Sequence, residues 1–182
     1  AVGMPNLMQA RQKAQESRCS SNMKQLALGM MMYAQDHDER FPKANAWQAQ
    51  ITPYVKDQGI FHCPVDGKPG TSYAMNQKLS GMSMARVTDP AHTILFYESS
   101  TSGSSPNGIG ADLDARHNGE FVVAYVDGHV ETRSGSLDIS EFRLDNAVHT
   151  APVMAPPTHP RAPQAKPRKQ PARTRPTKTR HR

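Results

Sequence analysis

No apolar run in the 182 residues approaches the roughly 20 that a membrane-spanning helix needs, so no integral segment is expected. Aromatic residues make up only 6%, and the mean hydropathy of −0.68 is low for a chain that is globular throughout. There are two cysteines, Cys19 and Cys63. They stand too far apart for a CxxC pair, so local spacing argues against a redox motif or a structural zinc site. The residues alone leave two readings of the pair open, as buried thiols or as one disulfide of an oxidising compartment. A disulfide closing that loop would stabilise by about 4 kcal/mol in the chain-entropy picture. A charged, apolar, small-residue secretion signal is also missing. So are a phosphate-binding glycine loop, a nucleophile elbow and any nucleophile spaced from a base, and an enzyme is not expected.

Acidic residues are missing from one region. Residues 151–182 hold eight of the 15 prolines, nine of the 22 Lys and Arg, and none of the 16 Asp and Glu. The formal charge of +6 therefore describes a tail, and the rest of the chain carries more acid than base. This tail, taken as 149–182, cannot bury enough apolar surface to offset ordering entropy and is expected to be disordered. Lys166, Arg168, Lys169, Arg173, Arg175, Lys178, Arg180 and Arg182, spaced by Pro and Thr, suit a polyanion such as nucleic acid or an anionic polysaccharide. With no aromatic among them, base stacking has no support.

Proline is absent between Pro5 and Pro42, and Gly29 is the only glycine there. The stretch predicts one long helix, about Asn6 to Gln35, roughly 45 Å long. Cys19, Met23, Leu26, Met30 and Tyr33 step by four, three, four and three, with Ala27 and Ala34 beside them, an apolar stripe at helical period. Residues 9–18 carry no such stripe, so the first half of the helix should project beyond its own domain. Trp47, Ile51, Tyr54 and Val55 suggest a short helix. Ile60-Phe61, Tyr73-Ala74-Met75 and Thr93–Tyr97 read as strands. Glu120–Val126 and His129–Thr132 read as a hairpin around Asp127-Gly128, whose composition favours a type I′ turn. The fold class is α+β: a helical segment 1–40, a head 41–148 with a small antiparallel sheet, and the tail.

Two polar clusters stand out, one before the head and one within it. Asp36, Asp38 and Glu39 close the long helix as a solvated charge cluster. Asp112 and Asp114, with His117 and Asn118 nearby, form an oxygen-rich loop that makes calcium the only cofactor considered, at a spacing unlike an EF-hand. His117 is expected to be a buried structural histidine holding the loop against the hairpin.

These residues together resemble the bacterial pseudopilins of the type IV pilin and type II secretion superfamily. The resemblance rests on Ala10-Arg11, Lys13-Ala14, Cys19, Asn22–Leu26, Met31–Asp36, Phe41-Pro42, Pro53–Val55, Cys63-Pro64, Asp66 and Tyr73–Asn76. It extends to a C-terminal pattern of His, nine residues, Asp and Gly, here His117, Asp127 and Gly128. It implies a non-enzymatic subunit of a secretion or pilus-like filament in the bacterial cell envelope, partnered with other such subunits through its helix. It also implies a Cys19–Cys63 disulfide and favours the Asp112/Asp114 calcium reading. Ala1-Val2-Gly3-Met4 reads as the remnant of an apolar anchor and cleavage signal, so membrane attachment is expected only with that anchor restored. The basic tail is not part of the family pattern.

Overall fold

A computed structural model describes residues 4–144. The tail and Ala1-Val2-Gly3 lie outside the described residues. Helix α1 runs Met4–Asp36, 33 residues and about 50 Å. Residues 7–14 are exposed on every side, whereas Cys19, Met23, Leu26, Ala27, Met30, Tyr33 and Ala34 are buried, as the stripe predicts. The helix stops where Asp38 and Glu39 enter the left-handed region, φ 53° and 54°. The Glu39 N–H then closes on the Ala34 carbonyl at 2.9 Å, satisfying an end that Phe41-Pro42 could not continue.

Trp47–Ile51 forms the short helix α2, continued by a 3₁₀ turn, Thr52–Tyr54, that accommodates Pro53 in its first residues. Ile60-Phe61, expected as a strand, belongs instead to a 3₁₀ turn, Gln58–Phe61. The Asp57 carboxylate accepts the Gly59 N–H at 2.8 Å and caps that turn, a local bond that outcompetes the strand preference of two residues.

Five strands follow: β1 Tyr73–Asn76, β2 Ile94–Glu98, β3 Asn107–Gly108, β4 Glu120–Tyr125 and β5 Val130–Ser134. Their order is β3-β1-β2-β4-β5. All neighbours are antiparallel except β1 and β3, which pair in parallel within a stretch that reads as loop from sequence. Alternate residues face opposite sides of the sheet. Tyr73, Met75, Phe96, Val122 and Ala124 meet the α1 stripe in the larger core. Ala74, Tyr97, Phe121, Val123 and Tyr125 build a second core, closed by Phe142 from a 3₁₀ turn at Ile139–Phe142.

The β4–β5 connection corrects one expectation. Gly128 has φ 87°, but Asp127 keeps a negative φ, so Asp127-Gly128 does not make a type I′ turn. The Gly128 N–H reaches the Tyr125 carbonyl at 2.9 Å, and the Tyr125 N–H reaches His129 at 3.0 Å. This is a three-residue connection in which glycine takes the left-handed third position. The two-residue turn lies upstream: Asn118 and Gly119, φ 57° and 86°, join His117 to Glu120 through reciprocal hydrogen bonds of 3.0 and 3.1 Å.

Candidate functional site

Where the larger core meets the C-terminal end of β2, four buried side chains converge: Cys19 from α1, Cys63 after the Gln58–Phe61 turn, Glu98 at the end of β2 and His117 at the Asn118-Gly119 turn. One donor atom from each lies within 4.8 Å of the others. His117 Nε2 stands 3.0 Å from Glu98 Oε1 and 3.5 Å from Cys63 Sγ. Cys19 Sγ stands 2.9 Å from the same Glu98 oxygen and 3.0 Å from Tyr73 Oη. The other Glu98 oxygen accepts the Val122 N–H at 2.9 Å, which fixes the carboxylate against β4. Glu98 is 0% exposed and His117 7%, and a carboxylate with no solvent access is held only by such partners.

Arg116 supplies the local positive charge. Its guanidinium pairs with Asp66 at 2.5 Å and Asp114 at 3.0 Å, bonds the Ser99 carbonyl, and brings Nε to 3.9 Å from Glu98 Oε1. Burial opposes the charge on His117, but hydrogen bonds toward Cys63 and Glu98 outweigh it and carry the imidazole up to about 10. The hydrogen bond with Cys19 lowers Cys63 most, against the effect of burial, and brings that thiol to about 6. Burial, with the neighbouring Glu98, pushes the Cys19 thiol far up.

The cluster is not built as a nucleophilic relay. A Cys–His–carboxylate relay turns one ring nitrogen to the sulfur and the other to the acid. Here Nε2 faces both Cys63 and Glu98. What the four groups share is a common centre, the arrangement of ligands around an ion. An open groove of about 510 Å³ between the exposed stretch of α1 and the β4–β5 hairpin, with Glu16, Val65, Arg116, His117 and Thr132 on its walls, leads to the edge of the cluster.

The cysteine pair is thus brought into one site as free thiols. The argument from local spacing against zinc does not reach ligands delivered by four separate elements. Asp112 and Asp114 have other tasks. One Asp112 oxygen accepts the Tyr97 hydroxyl at 2.6 Å and the other accepts Ser99, while Asp114 pairs with Arg116. Asp36 accepts the Tyr54 hydroxyl at 3.1 Å. Lys166, Arg168, Lys169, Arg173, Arg175, Lys178, Arg180 and Arg182 lie outside the described residues.

His117, Asp127 and Gly128 bracket β4, and both ends dock on α1. His117 meets Cys19 in the cluster. At the other end Lys24 Nζ donates to the Gly128 carbonyl at 2.6 Å, and a Cβ on Gly128 would come within 3.0 Å of Met31. Asp127 Oδ1 accepts from His129, from the backbone at 2.9 Å and from the ring at 2.6 Å. The nine residues between His117 and Asp127 are the Asn118-Gly119 turn, the six residues of β4 and Val126.

Residues 8–63 match the family described as "Protein of unknown function (DUF1559)". That family is associated with pilin-like proteins. No curated protein and no solved structure matches the chain. The matched stretch takes in most of α1, all of α2 and both cysteines. Among the described residues, no helix is long and apolar enough to cross a membrane.

Sequence reading missed Glu98, Tyr73 and Arg116. The signal for Glu98 was a charged residue ending an otherwise apolar buried run, Ile94–Glu98, where a carboxylate must have a partner.

Proposed function

We propose that this chain is a non-catalytic structural subunit of a type II secretion or type IV pilus-like filament of the bacterial cell envelope. One observation carries the reading: α1 is far longer than the core it covers. Its second half supplies the buried stripe, and residues 7–14 are exposed. A helix that buries only part of its length within its own domain has surface left for neighbouring helices. Leu7 and Met8 on that free stretch are 72% and 66% exposed, and Leu28 and Met32, one turn apart on the outer face, are also exposed. The match over residues 8–63 supports the same reading.

Its partners in this reading are other pilin-like subunits, reached through α1. A photoreactive residue at Leu7 or Gln12, introduced in the cells that make the protein, should give cross-links to helix-bearing subunits. The same residue at Ser136, on the head, should not. Equal cross-linking from both positions, or none from the helix, contradicts the proposal.

A second reading is favoured by the tail's nine basic and no acidic residues: a polyanion-binding envelope protein. Binding to DNA or an anionic polysaccharide should then vanish on deletion of 151–182 and fall steeply with salt, at a log–log slope no steeper than about −8 for DNA. Binding that survives the deletion refutes the tail as its source.

A further inference from the structure

We propose that Cys19, Cys63, Glu98 and His117 bind one zinc ion, which clasps α1 to the sheet. This goes beyond the filament reading and stands whether or not the chain assembles.

The donor set is two sulfurs, one imidazole nitrogen and one carboxylate oxygen, all buried and within 4.8 Å of one another. That mixture suits a borderline-soft tetrahedral ion and not calcium or magnesium, which take oxygen. Bonds of about 2.0–2.3 Å around a tetrahedral centre put ligand atoms about 3.4–3.7 Å apart. Cys63 Sγ to His117 Nε2 is 3.5 Å, within that range. His117 to Glu98 at 3.0 Å and Cys19 to Glu98 at 2.9 Å open to it by side-chain shifts of a few tenths of an ångström.

As hydrogen bonds alone, the contacts do not all close. Nε2 carries one proton at most, yet it faces both a sulfur and a carboxylate oxygen. If it donates to Glu98, nothing on it is left for Cys63. If it accepts from Cys63, its approach to an ionised Glu98 brings two acceptors together. A cation at the centre turns both contacts into edges of one coordination shell.

The surroundings are those of metal ligands. The Cys63 N–H donates to the Ser72 hydroxyl at 2.9 Å, which fixes the residue beside the site. Tyr73 Oη, itself buried, lies 3.0 Å from the Cys19 sulfur and can donate to a thiolate there. Val122 N–H holds one Glu98 oxygen and leaves the other for the ion. Such outer partners orient ligands and are part of a site's design. Two thiolates and a carboxylate around a divalent ion leave one excess negative charge. Arg116, whose Nε has no hydrogen-bond partner, stands 3.9 Å from Glu98 and puts a positive charge beside it, one shared with Asp66 and Asp114. With all four positions filled by protein the site is structural. On binding, the ligand groups give up to solvent the protons they carry.

The test is metal analysis of the full chain purified under reducing conditions without chelator, followed by cobalt(II) exchange. One zinc per chain is expected. The cobalt form should show sulfur-to-cobalt charge transfer in the near ultraviolet and visible bands of tetrahedral intensity. Stripping the metal should lower the melting temperature by about 10 °C or more. Cys63→Ser and His117→Ala should lose the metal, and His117→Cys, which keeps a ligand, should retain it. If the first two variants fail to fold, the wild-type cobalt spectrum and the His117→Cys variant still decide. The proposal is overturned if the wild-type chain takes up neither metal, whether its thiols are then free or its mass is lower by two hydrogens, as for a Cys19–Cys63 disulfide. Metal retained at full stoichiometry by folded Cys63→Ser overturns it too.

Discussion

Asp112 shows how a single side chain can hold an oxygen-rich loop by hydrogen bonds alone. Its two oxygens accept the hydroxyls of Tyr97 and Ser99, joining the Ser99–Gly110 excursion back to β2. Burial raises its pKa, but the hydrogen bonds from Ser99 and Tyr97 outweigh that and leave it below 3.8. A depressed folded value means the stabilisation is complete above the unfolded pKa and is lost as pH falls through the folded one. Asp112→Asn should therefore cost about 1–3 kcal/mol at neutral pH. In urea titrations the gap between wild type and variant should narrow once the pH drops below about 3.8. A gap that stays constant down to pH 2 would show that the carboxylate charge contributes nothing. Residues of this kind divide by legibility. His117 and Asp127-Gly128 were readable because their spacing is local to one hairpin. Glu98 was not, because its partners come from α1 and β4, and only tertiary structure brings them together.

Among the elements, α1 was the most legible, since a stripe at helical period over about four turns has no other stable reading. The Gln58–Phe61 segment was the least, because a two-residue apolar pair carries no period and a local cap decided its shape. The Asn118-Gly119 turn was overlooked in favour of Asp127-Gly128, although it is the one with positive φ at both central residues. Gly119→Ala places a side chain at φ 86° and should cost about 1–2 kcal/mol by chemical denaturation, with no contact clash to add. An unchanged midpoint would mean the turn relaxes freely. Helix seating offers a sharper check. At Gly29 a Cβ would come within 2.8 Å of Val55, so α1 and the Thr52–Tyr54 turn approach as closely as glycine allows. Gly29→Leu should destabilise by about 1–3 kcal/mol despite leucine's better helix propensity. A more stable variant would show that this packing is looser than the structure has it. Leu26→Ala, in the middle of the buried stripe, should cost about 2–5 kcal/mol.

For the whole molecule, the order of helix, small sheet and basic tail follows from composition and period, while the sheet's parallel β1–β3 edge and the four-residue cluster do not. A head of this size buries α1 over its second half and leaves residues 7–14 exposed. That division underlies the filament proposal, and substitutions on the free stretch separate its two jobs. Gln12→Ala should leave the free energy of unfolding within about 0.5 kcal/mol of wild type, because residue 12 is exposed and touches no core. The most direct measurement is velocity sedimentation of gently solubilised envelopes and sheared surface material from cells that make the protein, probed for this chain. A pilin-like subunit is expected in fast-sedimenting material together with other helix-bearing subunits, and is expected to leave it when residues 7–14 are replaced by a polar glycine–serine stretch. A chain found only as a slow-sedimenting single protein in every fraction, unaffected by that replacement, would contradict the filament role.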